Sequence, residues 1–482
     1  MSLRAKTARN IGIVAVLQVF ASTVSAITLL VLTRLLTPWD FGIVAIAGFV
    51  LGIIAQFSDF GLGPAVIQRQ TDIEEALYTA GALRILIALV LFIIAFLTAD
   101  VAAWIFGTGE VVAVIRVSAL MFFLTSAGFV STIRLTKDLR FGKLAMVSVV
   151  ISLVSASTSI AIAWIWASYW AMIVGPIVGS SVGLVALYRV CPWRMRFRID
   201  RRIAKELYAV GKHVFLMAFL VFLIFHLDDA FVGAFLGLTM LGYYYVAYRG
   251  SSFIANFLVK LVYRVMFPTY AQIQKEPAKL KKGYLQTLDL LSLASFPLYF
   301  ALVVLAPDFV AIFLGEQWMP AVLSLQILCF FGLMRTLTEP AGNVFLAVGK
   351  TKILSVTNLL NLVILLIFIY PATVHYGIEG ISFLIVMMYL SHMIVLWWLI
   401  TKNMDVTFSE IGDTFRGPLL ASILMLMLML MTKVILSPGI VSLIVTALVG
   451  MAVYMAIIYA YEGDRIRFYW RELRKAMGKT PL

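Results

Sequence analysis

Long apolar runs of roughly 17 to 28 residues, parted by short polar breaks, dominate the chain. Fourteen can be read, at 11–33, 41–67, 77–97, 111–133, 144–166, 169–187, 210–236, 241–268, 285–305, 322–348, 353–370, 378–400, 418–434 and 440–461. A helix rises about 1.5 Å per residue and the bilayer's hydrocarbon layer is about 30 Å thick, so runs of this length predict membrane-crossing helices. The pattern as a whole predicts an all-α polytopic membrane protein with 14 transmembrane helices. The basic start, MSLRAKTARN, leads into a span too long for a signal-peptide core, and reads as an uncleaved first helix.

Composition agrees: 62% of the 482 residues are hydrophobic, 13% are charged, and mean hydropathy is +1.01. The net charge of +14 does not point to nucleic acid, because the cations are scattered between apolar spans. With the amino terminus inside, the inner segments hold 30 of the 38 Lys and Arg residues, whereas the outer ends hold only Arg34 and Lys433. The positive-inside rule then places both termini in the cytoplasm. The richest inner segment, RMRFRIDRRIAKE, carries Arg194, Arg196, Arg198, Arg201 and Arg202 and reads chiefly as a topology-setting linker touching anionic lipid.

The two halves repeat. LLTPWDFGIV before the second span resembles LGLTMLGYYYV before the eighth, setting Gly42 against Gly242. PAVIQRQ resembles PTYAQIQK, setting Pro64 against Pro268, and FGKLAMVSVV resembles TKILSVTNLL. The order is kept, with offsets drifting only from 200 to 209. An even repeat unit of six helices preserves orientation and predicts two lobes related by a pseudo-twofold along the membrane normal, with the substrate site between them. The expected domains are an N-lobe at 1–206, a C-lobe at 207–402, and an appended pair of helices with a basic tail at 403–482.

Leaving aside Lys212, Glu379 and Lys433 at the extreme ends, eleven charged residues fall inside spans: Arg84, Arg116, Arg249, Lys260, Arg264 and Arg335 against Asp59, Asp228, Asp229, Asp289 and Glu339. Each would cost roughly 2.5 to 3.5 kcal/mol facing lipid near the bilayer centre. Arg84, Arg264, Asp289 and Arg116 lie near predicted span ends, where snorkelling suffices. The others lie deeper. In the eighth span Tyr245, Arg249, Ser252, Asn256, Lys260 and Arg264 share one helical sector beside Phe253, Phe257, Leu261 and Val265. Two readings stand: internal ion pairs, with Arg335 meeting Glu339 four residues on and Asp228 or Asp229 meeting Arg249, or a cationic stripe that receives an anion. Lys260 has no acid on its own helix face, and its best-placed partner elsewhere is Asp59, at the matching depth of the second span.

Catalytic patterns are poor. His213, His226, His375 and His392 lack metal-ligand spacing, Cys191 and Cys329 stand far apart, and no metal or cofactor is expected. The string Gly349-Lys350-Thr351 lacks the first glycine of a phosphate-binding loop, Val344 standing there, and reads as a loop between spans.

TRLLTPWDFGIV, FSDFGLGPAVIQR, DDAFVGAFLG, LGYYYVAYR, MFPTYAQIQ and FLGEQWMPAVLSLQILCFFGLMR occur in order between Thr33 and Arg335. Together they resemble the polysaccharide-export branch, Wzx-type and colanic-acid-like, of the multidrug/oligosaccharidyl-lipid/polysaccharide flippase superfamily. The resemblance implies two six-helix MATE-like lobes around a cationic cavity, and a non-enzymatic flippase for undecaprenyl-pyrophosphate-linked glycan in the bacterial inner membrane. It implies intramembrane cations for the pyrophosphate, which by position are Arg249, Lys260, Arg264 and Arg335, with Asn256 and Arg84 beside them. Asp59, Asp228, Asp229 and Glu339 are the candidates for gating or ion coupling. Expected partners are the lipid-linked glycan, membrane lipids and a polysaccharide polymerase or co-polymerase, the flippase itself working as a monomer. The alternatives are a cation-coupled multidrug exporter of the same fold, which a cationic stripe disfavours, and a membrane-embedded polymerase or ligase, which would carry a sizeable outer loop absent here.

Overall fold

The computed structural model describes residues 3–59, 61–193, 197–437 and 439–476, and within them leaves a number of helix side chains undescribed, those of Asp59 and Arg264 among them. Every regular element among the described residues is helical. In chain order these are α1 (Leu3–Leu35), α2 (Pro38–Asp59), α3 (Leu62–Gln68), α4 (Ile73–Phe106), α5 (Glu110–Ser118), α6 (Met121–Lys137), α7 (Phe141–Trp166) and α8 (Ala171–Val190). Next come α9 (Arg201–Leu236), α10 (Leu238–Ile273), α11 (Pro277–Phe309), α12 (Val322–Ala347), α13 (Thr351–Met404), α14 (Phe408–Ile435) and α15 (Ile440–Ala476). A π turn at Val310–Leu314 and a 3-10 turn at Glu316–Ala321 join α11 to α12.

Twelve helices among the described residues are long and apolar enough to cross a membrane, so the chain is a multi-pass membrane protein. Two elements separate this number from the fourteen expected runs. Helix α10, with its cationic stripe, is not among the twelve, and α13 enters as one helix of 54 residues. A straight helix of that length would extend about 81 Å, more than twice the hydrocarbon thickness. It does not run straight: Gly377 adopts φ 62° and ψ −149°, a conformation only glycine takes readily, and breaks the helix there.

Helix starts follow local chemistry. At α2, Asp40 Oδ2 accepts from the Thr37 N–H (2.8 Å) and hydroxyl (2.6 Å), and Pro38 opens the helix. Thr407 and Glu410 form the same reciprocal box at α14. Asp200 caps α9 by accepting from Arg202 and Ile203, and those N–H donors hold its carboxyl below the usual carboxylate range.

The chain divides into two compact units, one of residues 1–245 with 369–378 and the other of 246–368 with 379–482. In the first, Leu62, Val66, Leu77, Phe129, Val130, Ile133, Ile203 and Leu207 form one core, so α9 packs with α3, α4 and α6. The boundary between these units falls inside α10. In the second unit Val304, Ala421, Met425, Met429, Tyr454 and Ile458 share a core, and Lys433 meets Asp308 at 2.8 Å. The last two helices are therefore packed on α11.

Small residues bring helices together, as expected where lipid supplies no hydrophobic drive between them. Gly175, Gly179 and Gly183, four apart on α8, lie against Ser159, Ser155 and Ile151 on α7, and an added Cβ at any of them would collide. Gly179→Leu should lower the unfolding midpoint of the purified protein in detergent, with a cost of about 1 to 3 kcal/mol or more from overpacking. A second close approach is reciprocal: a Cβ on Gly42 would strike the Leu238 backbone, and a Cβ on Gly242 would strike the Pro38 backbone.

Candidate functional site

The orientation of α10 follows from its buried side. In the second unit Ser251, Ala255, Leu258 and Val262 are all buried, on one helical face. Tyr248 stacks on Phe331 of α12 (centroids 5.3 Å), and Phe331 meets Tyr389 of α13 edge-on at 4.6 Å. The Tyr299 hydroxyl of α11 donates to the Ser251 carbonyl at 3.1 Å, its ring lying over Gly332. With that side fixed, Arg249 and Lys260 fall on the opposite, exposed face, flanked by the exposed rings of Phe253 and Phe257. Asn256, in the same sector as the two cations, is half-buried.

One polar contact joins this helix to the next cation. Arg335 of α12 donates from Nη2 to Asn256 Oδ1 at 3.1 Å. Glu339, four residues further along α12, makes no ion pair among the described residues, and neither does Lys260. The structure thus brings Asn256 and Arg335 together and exposes Arg249 and Lys260 beside them. An amide, a guanidinium fork and an ammonium on one cationic surface suit a multiply charged oxyanion, which a planar fork can hold through two parallel hydrogen bonds.

The remaining expected residues separate. Arg84 is half-buried in the first unit, where Nη1 donates to Ser58 at 3.0 Å and the guanidinium lies 5.2 Å from the Phe129 ring centre. Asp228 and Asp229 are buried there, Asp228 accepting from the Tyr244 hydroxyl and Asp229 lying 3.3 Å from His226 Nδ1. The side chains of Asp59 and Arg264 lie outside the described residues, as do Arg194 and Arg196. Of the four charges expected to snorkel, Asp289 does not: it is 4% exposed, within the α11 core. Arg116 instead pairs with Asp100 at 2.7 Å and covers Phe96.

No group of three or more His, Cys, Asp and Glu side chains is arranged for a metal among the described residues. Lys350, in the string that resembled a phosphate loop, donates to Asn403 at 2.7 Å, while Gly349 takes φ 76° at the end of α12. His392 is a packed histidine, its Nδ1 2.8 Å from Asn361 Nδ2. Sequence spacing gave no sign of that partner, because the two lie on opposite sides of the Gly377 break.

Residues 31–323 match the family model described as polysaccharide biosynthesis protein. The chain is 30% identical over 298 residues to the teichuronic acid biosynthesis protein TuaB of Bacillus subtilis (strain 168), a match spanning 61% of this chain and 62% of TuaB. It is 24% identical over 368 residues to the lipopolysaccharide biosynthesis protein WzxC of Escherichia coli (strain K12), covering 73% and 72% of the two chains. The succinoglycan biosynthesis transport protein ExoT of Rhizobium meliloti (strain 1021) is 25% identical over 66% of this chain and 64% of its own. In fold the chain is similar to the lipid II flippase MurJ in an inward closed conformation, with TM-score 0.78, 13% identity, and 94% and 99% coverage. It is similar as well to an inward-facing MATE multidrug transporter, with TM-score 0.61, 17% identity, and 81% and 94% coverage. A family model that takes in more than half the chain settles its affiliation: it belongs to the polysaccharide biosynthesis protein family.

Proposed function

We propose that the protein is a flippase that exports undecaprenyl-pyrophosphate-linked oligosaccharide repeat units across the bacterial inner membrane for surface polysaccharide synthesis. The observation that carries this reading is the face of α10, where Lys260 is exposed with no ion pair among the described residues and Asn256 engages Arg335. Cations on a membrane helix are costly, and an anionic headgroup offsets that cost. Membership of a polysaccharide biosynthesis family and likeness in fold to a lipid flippase support the same reading.

In the proposed cycle twelve of fourteen spans form two pseudo-symmetric six-helix lobes, the last two are appended, and both termini are cytoplasmic. The reciprocal contacts of Gly42 and Gly242 support that symmetry, since Pro38 and Leu238 stand the same 200 residues apart. Lys260 and Arg264 receive the pyrophosphate from the inner leaflet, Arg249 and Arg335 hold it deeper, and the lobes rock to open outward while the lipid tail stays in the bilayer. Arg84 steers the headgroup at the inner entrance. Asp59, Asp228, Asp229 and Glu339 serve as gating or coupling groups. An outward-moving headgroup with about two negative charges gains roughly 2.3 kcal/mol per charge per 100 mV of inside-negative potential, so no coupling ion is obligatory. The flippase works as a monomer and hands its cargo to a polysaccharide polymerase.

The test is transbilayer movement of a labelled polyprenyl-pyrophosphate glycan in proteoliposomes. Movement should accelerate when an inside-negative voltage is imposed in the export direction. Movement no faster than in protein-free vesicles would sink the proposal. Asp228→Asn should slow turnover while leaving binding of the glycan lipid unchanged, measured by equilibrium binding beside the movement assay.

A further inference from the structure

Away from the α10 face, the two halves of α13 enclose an apolar groove of about 370 Å³. Ile353, Val356 and Leu360 line it from the first half, and Val395, Trp398 and Leu399 from the second, so the two ends of α13 meet at one membrane face. Val356, Leu360 and Trp398 are about half exposed, an apolar surface that in a bilayer is covered by lipid. From Lys352 to Leu360 the groove runs about 12 Å along the helix, the upper part of one acyl chain.

The rim is charged and mostly cationic. Lys352 lines the groove, Lys402 Nζ lies 5.1 Å from the Trp398 ring centre, and Lys350 reaches across to Asn403. Among the described residues none of the three makes an ion pair, and neither does Asp405, the acid just past the end of α13. A tryptophan and three lysines where an apolar slot opens at a helix end match the level of lipid phosphates in the membrane interface.

We propose that this end of α13 is a binding site for an anionic phospholipid, with one acyl chain in the Ile353–Trp398 groove and the phosphate held by Lys352 and Lys402. The site is separate from the glycan face of α10 and does not rest on that reading. The excess of cations, three lysines against the single Asp405, gives the preference for an anionic over a zwitterionic headgroup, and the groove gives the preference for a seated chain over a merely condensed one.

The full-length protein in phosphatidylcholine vesicles tests it, titrated with phosphatidylglycerol or phosphatidylcholine brominated along the acyl chains. Bromine quenches nearby tryptophan, and the difference between native protein and Trp398→Phe isolates Trp398 from the other nine of the 10 tryptophans. The expected result is half-maximal quenching of the Trp398 signal at an at least threefold lower mole fraction of brominated phosphatidylglycerol than of brominated phosphatidylcholine. The double variant Lys352→Gln/Lys402→Gln should bring the two curves together. Coincident curves in the native protein would overturn the proposal without any variant, as would a preference that survives the double substitution. Relief of quenching by an equal mole fraction of undecaprenyl phosphate would also overturn it, by assigning the groove to the prenyl carrier.

Discussion

Arg335→Ala should reduce transbilayer movement of the glycan lipid about ten- to hundredfold while the protein remains inserted and folded. Arg335 already gives Nη2 to Asn256, so its guanidinium is held in place before any ligand arrives. A hydrogen bond to a charged group contributes about 1.5 to 3 kcal/mol, and each 1.4 kcal/mol is about tenfold, which sets the size of the loss. Arg335→Lys keeps the charge and loses the fork, so it should fall between native and alanine. Lys260→Ala and Arg249→Ala should each cost a similar factor. Removing a cation from an apolar span makes insertion easier, so loss of protein from the membrane would not account for loss of movement. Neutralising Arg201, an exposed cation at the start of α9, serves as the control and should change little. A purely structural Arg335 would behave differently: its alanine variant would lose thermal stability in detergent and keep its movement rate per folded molecule. That pattern would refute the assignment.

How far this was legible beforehand differs between elements. Apolar run length is a property of each span alone, so the helices were readable. The stripe on α10 was readable because residues three and four apart share a face. What a stripe meets depends on other helices. Arg335 could have taken Glu339 on its own helix, and it takes Asn256 from α10 instead. Asp289 sits close to a span end, which depth counting reads as snorkelling, yet packing of α11 closes over it.

The repeat, by contrast, made a geometric claim that the backbone can test. Aligning LLTPWDFG with FLGLTMLG pairs Pro38 with Leu238 and Gly42 with Gly242, and these four residues form the reciprocal crossing of α2 and α10. Both glycines are inside helices with ordinary helical φ, so conformational freedom does not explain them; close approach does. The obstacle at each is main chain, which cannot rotate aside as a side chain can. Gly42→Ala and Gly242→Ala should therefore each destabilise the protein by about 1 to 3 kcal/mol or more, an unusually large effect for one methyl group. Larger residues should prevent recovery of folded protein. The double alanine variant carries the sharper expectation. One small separation of the two helix starts relieves both collisions, so the double variant should cost clearly less than the sum of the singles, a non-additivity expected of groups that share a backbone shift. Denaturation midpoints of the four proteins in one detergent measure this directly. Additive costs would mean that the two glycines act at independent contacts, and the pairing of the halves at this crossing would have to be given up.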